Sequence, residues 1–122
     1  MRVNIDNLDF NDDLQYFYDG EPFTGETVET APTGEVIALT TFRDGIEHGP
    51  QRGWYRDGSK KSEVTAVNGL AVGTAREWHP NGQLAEESEF NDRGEMVRVQ
   101  RWHEDGSPAP VQQRARAMTN GS

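Results

Sequence analysis

Trp54-Tyr55-Arg56-Asp57-Gly58 is followed 24 residues later by Trp78-His79-Pro80-Asn81-Gly82, and after another 24 by Trp102-His103-Glu104-Asp105-Gly106. The register extends outward from this stretch. Gly34 precedes Gly58, Gly82 and Gly106 at the same spacing, and Gly25, Gly49 and Gly73 form a second series with Val97 in its fourth place. Phe42, Ala66 and Phe90 form another, each followed within two residues by Asp44, Asn68 or Asp92. Self-similarity at a fixed period of this length marks a stack of identical supersecondary units.

The columns say what the unit is. Pro32-Thr33-Gly34, Arg56-Asp57-Gly58, Pro80-Asn81-Gly82 and Glu104-Asp105-Gly106 are turn tripeptides, because Asp and Asn bond their own backbone and Gly accepts a positive φ. Asp44-Gly45, Asn68-Gly69 and the longer Asp92-Arg93-Gly94 supply a second turn class half a period away. Turns this frequent leave room only for strands of about six to eight residues. Each unit is therefore a β-hairpin, and the chain reads as an all-β, single-layer antiparallel meander of about three and a half 24-residue hairpins. Glycine interrupts every stretch that might hold helical periodicity, apart from a turn or two over Val111–Met118.

Alternation predicts the faces. Val36, Ala38 and Phe42, then Val64 and Ala66, then Leu84 and Phe90 share parity with Trp54, Trp78 and Trp102, so one face is expected to carry both the aromatic and the aliphatic ladder. Glu63, Glu87 and Glu89 have the other parity and are expected on a wetter, acidic face. Such an array needs a terminal cap, for which Val3, Ile5, Leu8 and Phe10 within residues 1–13 are the candidates. The repeat domain is expected to span residues 1–107, and residues 108–122, with Pro108 and Pro110, to form a flexible tail.

Composition narrows the function. With 33% apolar residues and 13 glycines in 122, the fold is thin and rich in surface. The absence of cysteine removes disulfides and thiolate metal sites. Met1–Phe10 lacks a signal-peptide pattern and no apolar run approaches a membrane span, so a cytoplasmic location is expected. The net charge of −9 opposes phosphate backbones and anionic membranes and favours a basic protein partner.

The units Trp54-Tyr55-Arg56-Asp57-Gly58-Ser59-Lys60-Lys61-Ser62-Glu63 and Trp78-His79-Pro80-Asn81-Gly82-Gln83-Leu84-Ala85-Glu86-Glu87 resemble the bacterial MORN-repeat variant, a family that includes YwqK-type antitoxin components. Tyr18-Asp19-Gly20-Glu21-Pro22-Phe23-Thr24-Gly25-Glu26 resembles an opening unit of the same kind, and the resemblance spans about residues 14–107. It departs at Thr30, which stands where later units have tryptophan, and at Pro108-Ala109-Pro110, where the fourth unit stops. The resemblance implies hairpin arrays and protein–protein contact, and the antitoxin members imply a partner toxin encoded nearby.

Candidate chemistry is sparse. His79 and His103 occupy equivalent positions two strands apart, about 9–10 Å, too far to share an ion whose bonds are near 2 Å, and His48 sits at a turn. The carboxylate groups Glu86/Glu87/Glu89, Asp12/Asp13 and Glu104/Asp105 have no cleft to split their pKa values. No serine has a nucleophile-elbow context and no glycine loop cradles phosphate. Arg52 and Arg76 beside Trp54 and Trp78 are residue types that stack nucleobases, but the net negative flanks argue against it. The expectation is a non-catalytic protein-binding module, antitoxin- or immunity-like, without metal or cofactor; the alternative is a scaffold in a biosynthetic or signalling complex. Its candidate contact residues are Trp54, Trp78, Trp102, Glu63, Glu87, Glu89, Asp12 and Asp13. Open sheet edges make a homodimer available.

Overall fold

The structure is a computed structural model and describes residues 1–110. Its strands are β1 (Arg2–Asn4), β2 (Asp9–Phe10), β3 (Tyr16–Tyr18), β4 (Glu21–Pro22), β5 (Gly25–Thr30), β6 (Val36–Arg43), β7 (Ile46–Trp54), β8 (Lys60–Val67), β9 (Leu70–Trp78), β10 (Leu84–Phe90), β11 (Met96–Trp102) and β12 (Pro108–Ala109). The only helical element among the described residues is a 3-10 turn, Ile5–Asn7, and no helix there is long and apolar enough to cross a membrane. From β5 to β12 each strand pairs antiparallel with the next, as the turn spacing predicts. β1 adds to this nine-stranded sheet in parallel beside β5, while β2, β3 and β4 form a separate small sheet.

Two turn classes alternate down the sheet. Asp44-Gly45 and Asn68-Gly69 are two-residue hairpins with both residues at positive φ, the geometry whose twist matches paired strands. At the other ends of the strands, Tyr55 N–H donates to the Ser59 carbonyl and Gly58 N–H to the Tyr55 carbonyl, and His79–Gln83 and His103–Ser107 repeat the pattern. Asn91–Glu95 adopts this longer class in place of a two-residue turn, which explains the extra residue seen there in the sequence.

The core lies at the N-terminal end. Phe23, Ala31, Phe42 and Ala66 are its buried apolar residues. The small sheet lays Tyr16 onto Phe42, ring centroids 4.8 Å apart, and Phe23 meets Phe42 edge-on at 5.9 Å. Of the expected cap residues, Val3, Ile5 and Leu8 are half-buried, whereas Phe10 stays 65% exposed while packing on Tyr16. The covering of Phe42 thus falls to Tyr16 and Phe23, beyond residue 13. At the other end, Pro108 and Ala109 pair with Trp102 and Arg101, carrying the sheet past residue 107 where the tail was expected to begin. The expectations for residues 111–122, the rest of that tail and a helical turn over Val111–Met118, lie outside the described residues.

Pairing corrects the predicted faces. Leu39 stands across from Arg52, Arg52 from Glu63, Glu63 from Arg76, Arg76 from Glu87 and Glu87 from Gln100. Every one of these pairs couples an odd to an even position, and directly paired side chains share a face. Equal parity on neighbouring strands therefore means opposite faces. Phe42, Ala66 and Phe90 stand across from Gly25, Gly49 and Gly73, so two sequence columns are partners in one ladder. The tryptophans lie on the other face, together with Leu39, Glu63, Glu87 and Glu89. A bulge beside the longer turn between β9 and β10 also shifts Leu84 across to pair with Trp78, away from the Phe90 ladder.

Candidate functional site

The tryptophan face holds six of the eight residues nominated from sequence. Trp54, Trp78 and Trp102 end β7, β9 and β11, each half-buried, and no two of their rings stack among the described residues. The column that follows them ties repeat to repeat. Tyr55 Oη donates to the Trp78 carbonyl at 2.7 Å. His79 Nε2 lies 2.8 Å from the Trp102 carbonyl, which only accepts, so Nε2 carries the proton. His48 Nδ1 accepts from Asn68 N–H at 3.2 Å. These two histidines are architectural, and no group of three metal-binding side chains occurs among the described residues.

The nominated carboxylates are not free. Arg76 Nε lies 2.9 Å from Glu87 and Arg76 Nη1 3.8 Å from Glu63, and Arg98 is 2.7 Å from Glu89; on the opposite face Arg101 is 2.7 Å from Glu86. This alternation of sign across strands replaces the acidic face predicted from parity. The pairs are partly exposed, so each contributes about 0–1 kcal/mol.

Asp12 and Asp13 stand elsewhere. They are exposed in a turn closed by Asn11, whose side chain accepts from Asp13 N–H. Asp13 shares a recess of about 290 Å³ with Leu14, Ile46, Glu47 and Asn68, beside the two-residue turns. That recess also holds Tyr16, packed on Phe42, and so lies on the face opposite the tryptophans, about 20 Å along the sheet from their row, the paired length of β6 from Arg43 to Ala38 plus one residue.

Sequence reasoning missed the cavity on the tryptophan face. Val36, Leu39, Pro50 and Trp54 line a recess of about 490 Å³ together with Arg2, Glu26, Arg52 and Gly58. Two smaller recesses, about 230 and 170 Å³, share Arg52 and Glu63. Arg2 is held by Glu26 at 2.8 Å, whereas Arg52 has no carboxylate within 4.0 Å among the described residues. The repeat supplies an internal comparison. One unit on, Val36, Leu39 and Pro50 become Lys60, Glu63 and Thr74, so these aliphatic walls have no counterpart at the equivalent positions beside Trp78. Lys60 instead lies over the Trp78 ring, 5.3 Å from its centroid, and Lys61 over Tyr55 at 5.7 Å.

The turns of the same row hold the perturbed acids. Hydrogen bonds from the Ser59 hydroxyl, then from its backbone N–H, hold Asp57 below the usual aspartate range, and Ser107 does the same for Asp105. The Thr33 hydroxyl lowers Glu35 in the same way. Asp57 and Asp105 are exposed and Glu35 is half-buried; all three fasten turns, and none faces a cleft suited to proton transfer.

Fold and site together define a β-hairpin repeat protein whose long meander sheet, capped by a small second sheet, carries one decorated face. The family described as MORN repeat variant matches residues 71–92, the hairpin made by β9 and β10. Neither the curated proteins nor the solved structures yield a match.

Proposed function

We propose that this chain is a non-catalytic protein-binding module that covers a partner's surface with its tryptophan face. A MORN repeat is a generic module that often mediates protein or membrane binding. The observation that carries the protein reading is the recess at Trp54, where a half-buried indole, aliphatic walls and an unpaired guanidinium meet. Trp and Arg are the residue types that dominate interface hot spots, and a recess excludes water around them. Glu63, Glu87 and Glu89 frame this surface as ion-paired residues, and Asp12 and Asp13, beside the small sheet on the Phe42 face, join only with a partner that reaches round to that face.

The finer reading is antitoxin- or immunity-like: the partner is a toxin encoded beside this chain, neutralised when its working surface is covered. Co-expression tests it. The reading expects the neighbouring gene product to co-purify with this protein and growth to be rescued, with Trp54→Ala weakening binding roughly tenfold or more. Absence of binding and rescue removes the antitoxin reading. Undiminished binding by Trp54→Ala moves the contact to another face. Among the described residues β12 covers only Arg101 and Trp102 of β11, and Met96 and Val97, 52% and 62% exposed, further support a homodimer through the rest of that edge, which sedimentation would register.

A further inference from the structure

Arg52, Arg56, Lys60 and Lys61 fall within ten residues that contain one acid, Asp57, on a protein of net charge −9. Among the described residues five arginines lie within 4.0 Å of a carboxylate: Arg2, Arg76, Arg93, Arg98 and Arg101. Five lysines and arginines there do not, and four of them are this cluster, Arg43 being the other. The register explains the difference. Arg76 stands between Glu63 and Glu87, which both hold it; its equivalent Arg52 stands between Leu39 and Glu63, and Glu63 is engaged with Arg76. Asp57 is occupied by Ser59 in its own turn, and Glu26 by Arg2. Glu35 faces Arg56 from the neighbouring turn without ion-pair contact.

We propose that the Trp54 recess and its cationic surround form a docking site for an acidic peptide segment of a partner, an apolar side chain entering between Leu39, Pro50 and Trp54 and carboxylates meeting Arg52, Arg56, Lys60 and Lys61. This rests on the protein-binding reading above and gives it a ligand chemistry opposite to the basic partner that net charge predicts. Charge complementarity selects the occupant: unpaired cations around an apolar recess match carboxylates around an apolar side chain. A phosphate backbone would satisfy the cations and leave the recess unfilled. Successive nucleobases would need a run of free rings, but Trp78 and Tyr55 are covered by Lys60 and Lys61.

The test is fluorescence anisotropy with a labelled octapeptide of glutamates around a central pair of leucines. Its counterparts carry glutamine for glutamate, lysine for glutamate, or serine for leucine; a labelled oligothymidylate and vesicles of anionic phospholipid complete the set. The site predicts binding of the glutamate–leucine peptide that weakens about tenfold in Arg52→Gln and again in the Lys60→Gln/Lys61→Gln pair, and weakens further as salt rises. Both the glutamine and the serine peptides should bind about tenfold more weakly than the parent. Equal or tighter binding of the lysine peptide, insensitivity to Arg52→Gln in a variant with unchanged circular dichroism, or preferential binding of the oligothymidylate or the vesicles would overturn the proposal. If these peptides fail while Trp54→Ala still abolishes capture of the neighbouring gene product, the ligand chemistry is refuted and the binding module stands.

Discussion

Replacing Gly49 with alanine should destabilise this protein roughly twice as much as replacing Gly58, because the two glycines answer different constraints. Gly58 sits in a turn at φ +91, and a Cβ added there meets nothing within 4 Å. Its cost is the positive φ alone, about 1–2 kcal/mol. Gly49 lies within β7 at φ +118, much further than Gly58 from the left-handed well near +50 to +70° that other residues can occupy. There an added Cβ would stand 2.9 Å from Thr41 Cγ2 and 3.1 Å from Thr41 Cβ. Backbone strain and overpacking together come to about 3–4 kcal/mol. That is a large share of the ~5–15 kcal/mol total stability of an ordinary domain. Urea unfolding followed by tryptophan fluorescence measures both. Thr41→Ser separates the two terms: it deletes Cγ2 and keeps the hydroxyl that donates to the Pro50 carbonyl at 2.8 Å. In that background the Gly49→Ala cost should fall by about half of its excess over Gly58→Ala. Equal costs at the two glycines, or a Gly49 cost indifferent to Thr41→Ser, would refute this reasoning.

Other consequences are testable with single changes. Tyr55→Phe removes the bond from Tyr55 Oη to the Trp78 carbonyl and should cost about 1 kcal/mol, a Tm loss of a few degrees by calorimetry. Asp57 and Asp105, held low by Ser59 and Ser107, contribute stability that is present above the aspartate pKa of the unfolded chain and is lost as pH falls through the lower folded value. Ser59→Ala should therefore raise the Asp57 titration midpoint seen by NMR and leave that of Asp105 in place. Phe42→Ala, which empties the contact with Tyr16 and Phe23, should cost about 3–5 kcal/mol and release the small sheet, raising hydrogen exchange over residues 16–23.

The hairpin array was legible because turn chemistry is local. Asp57-Gly58, Asn81-Gly82 and Asp105-Gly106 state their backbone conformation within a few residues, and their spacing then counts the strands. Which side chains share a face was not legible, because that depends on register between strands. Leu39 across from Arg52 and Glu63 across from Arg76 pair odd with even positions, so the parity that links Trp54 to Phe42 in the sequence divides them in the sheet. The same register turned the expected acidic face of Glu63, Glu87 and Glu89 into a ladder shared with Arg76 and Arg98. Arg52, Arg56, Lys60 and Lys61 were visible as a local excess of charge, but the overall −9 averages them away. Only the pairing shows that Arg52, unlike Arg76, has an aliphatic neighbour where a carboxylate would otherwise hold it.

The central claim is that the tryptophan face, centred on the Trp54 recess, is the working surface. Three indole N–H resonances report on it directly, since Trp54, Trp78 and Trp102 are the protein's only tryptophans. In a 15N-labelled sample titrated with the glutamate–leucine octapeptide, the account predicts the largest shift at Trp54, a smaller one at Trp78 beneath Lys60, and the least at Trp102. Shifts confined to Asp12, Asp13 and the turns around Asp44 and Asn68, with all three indoles unmoved, would contradict it.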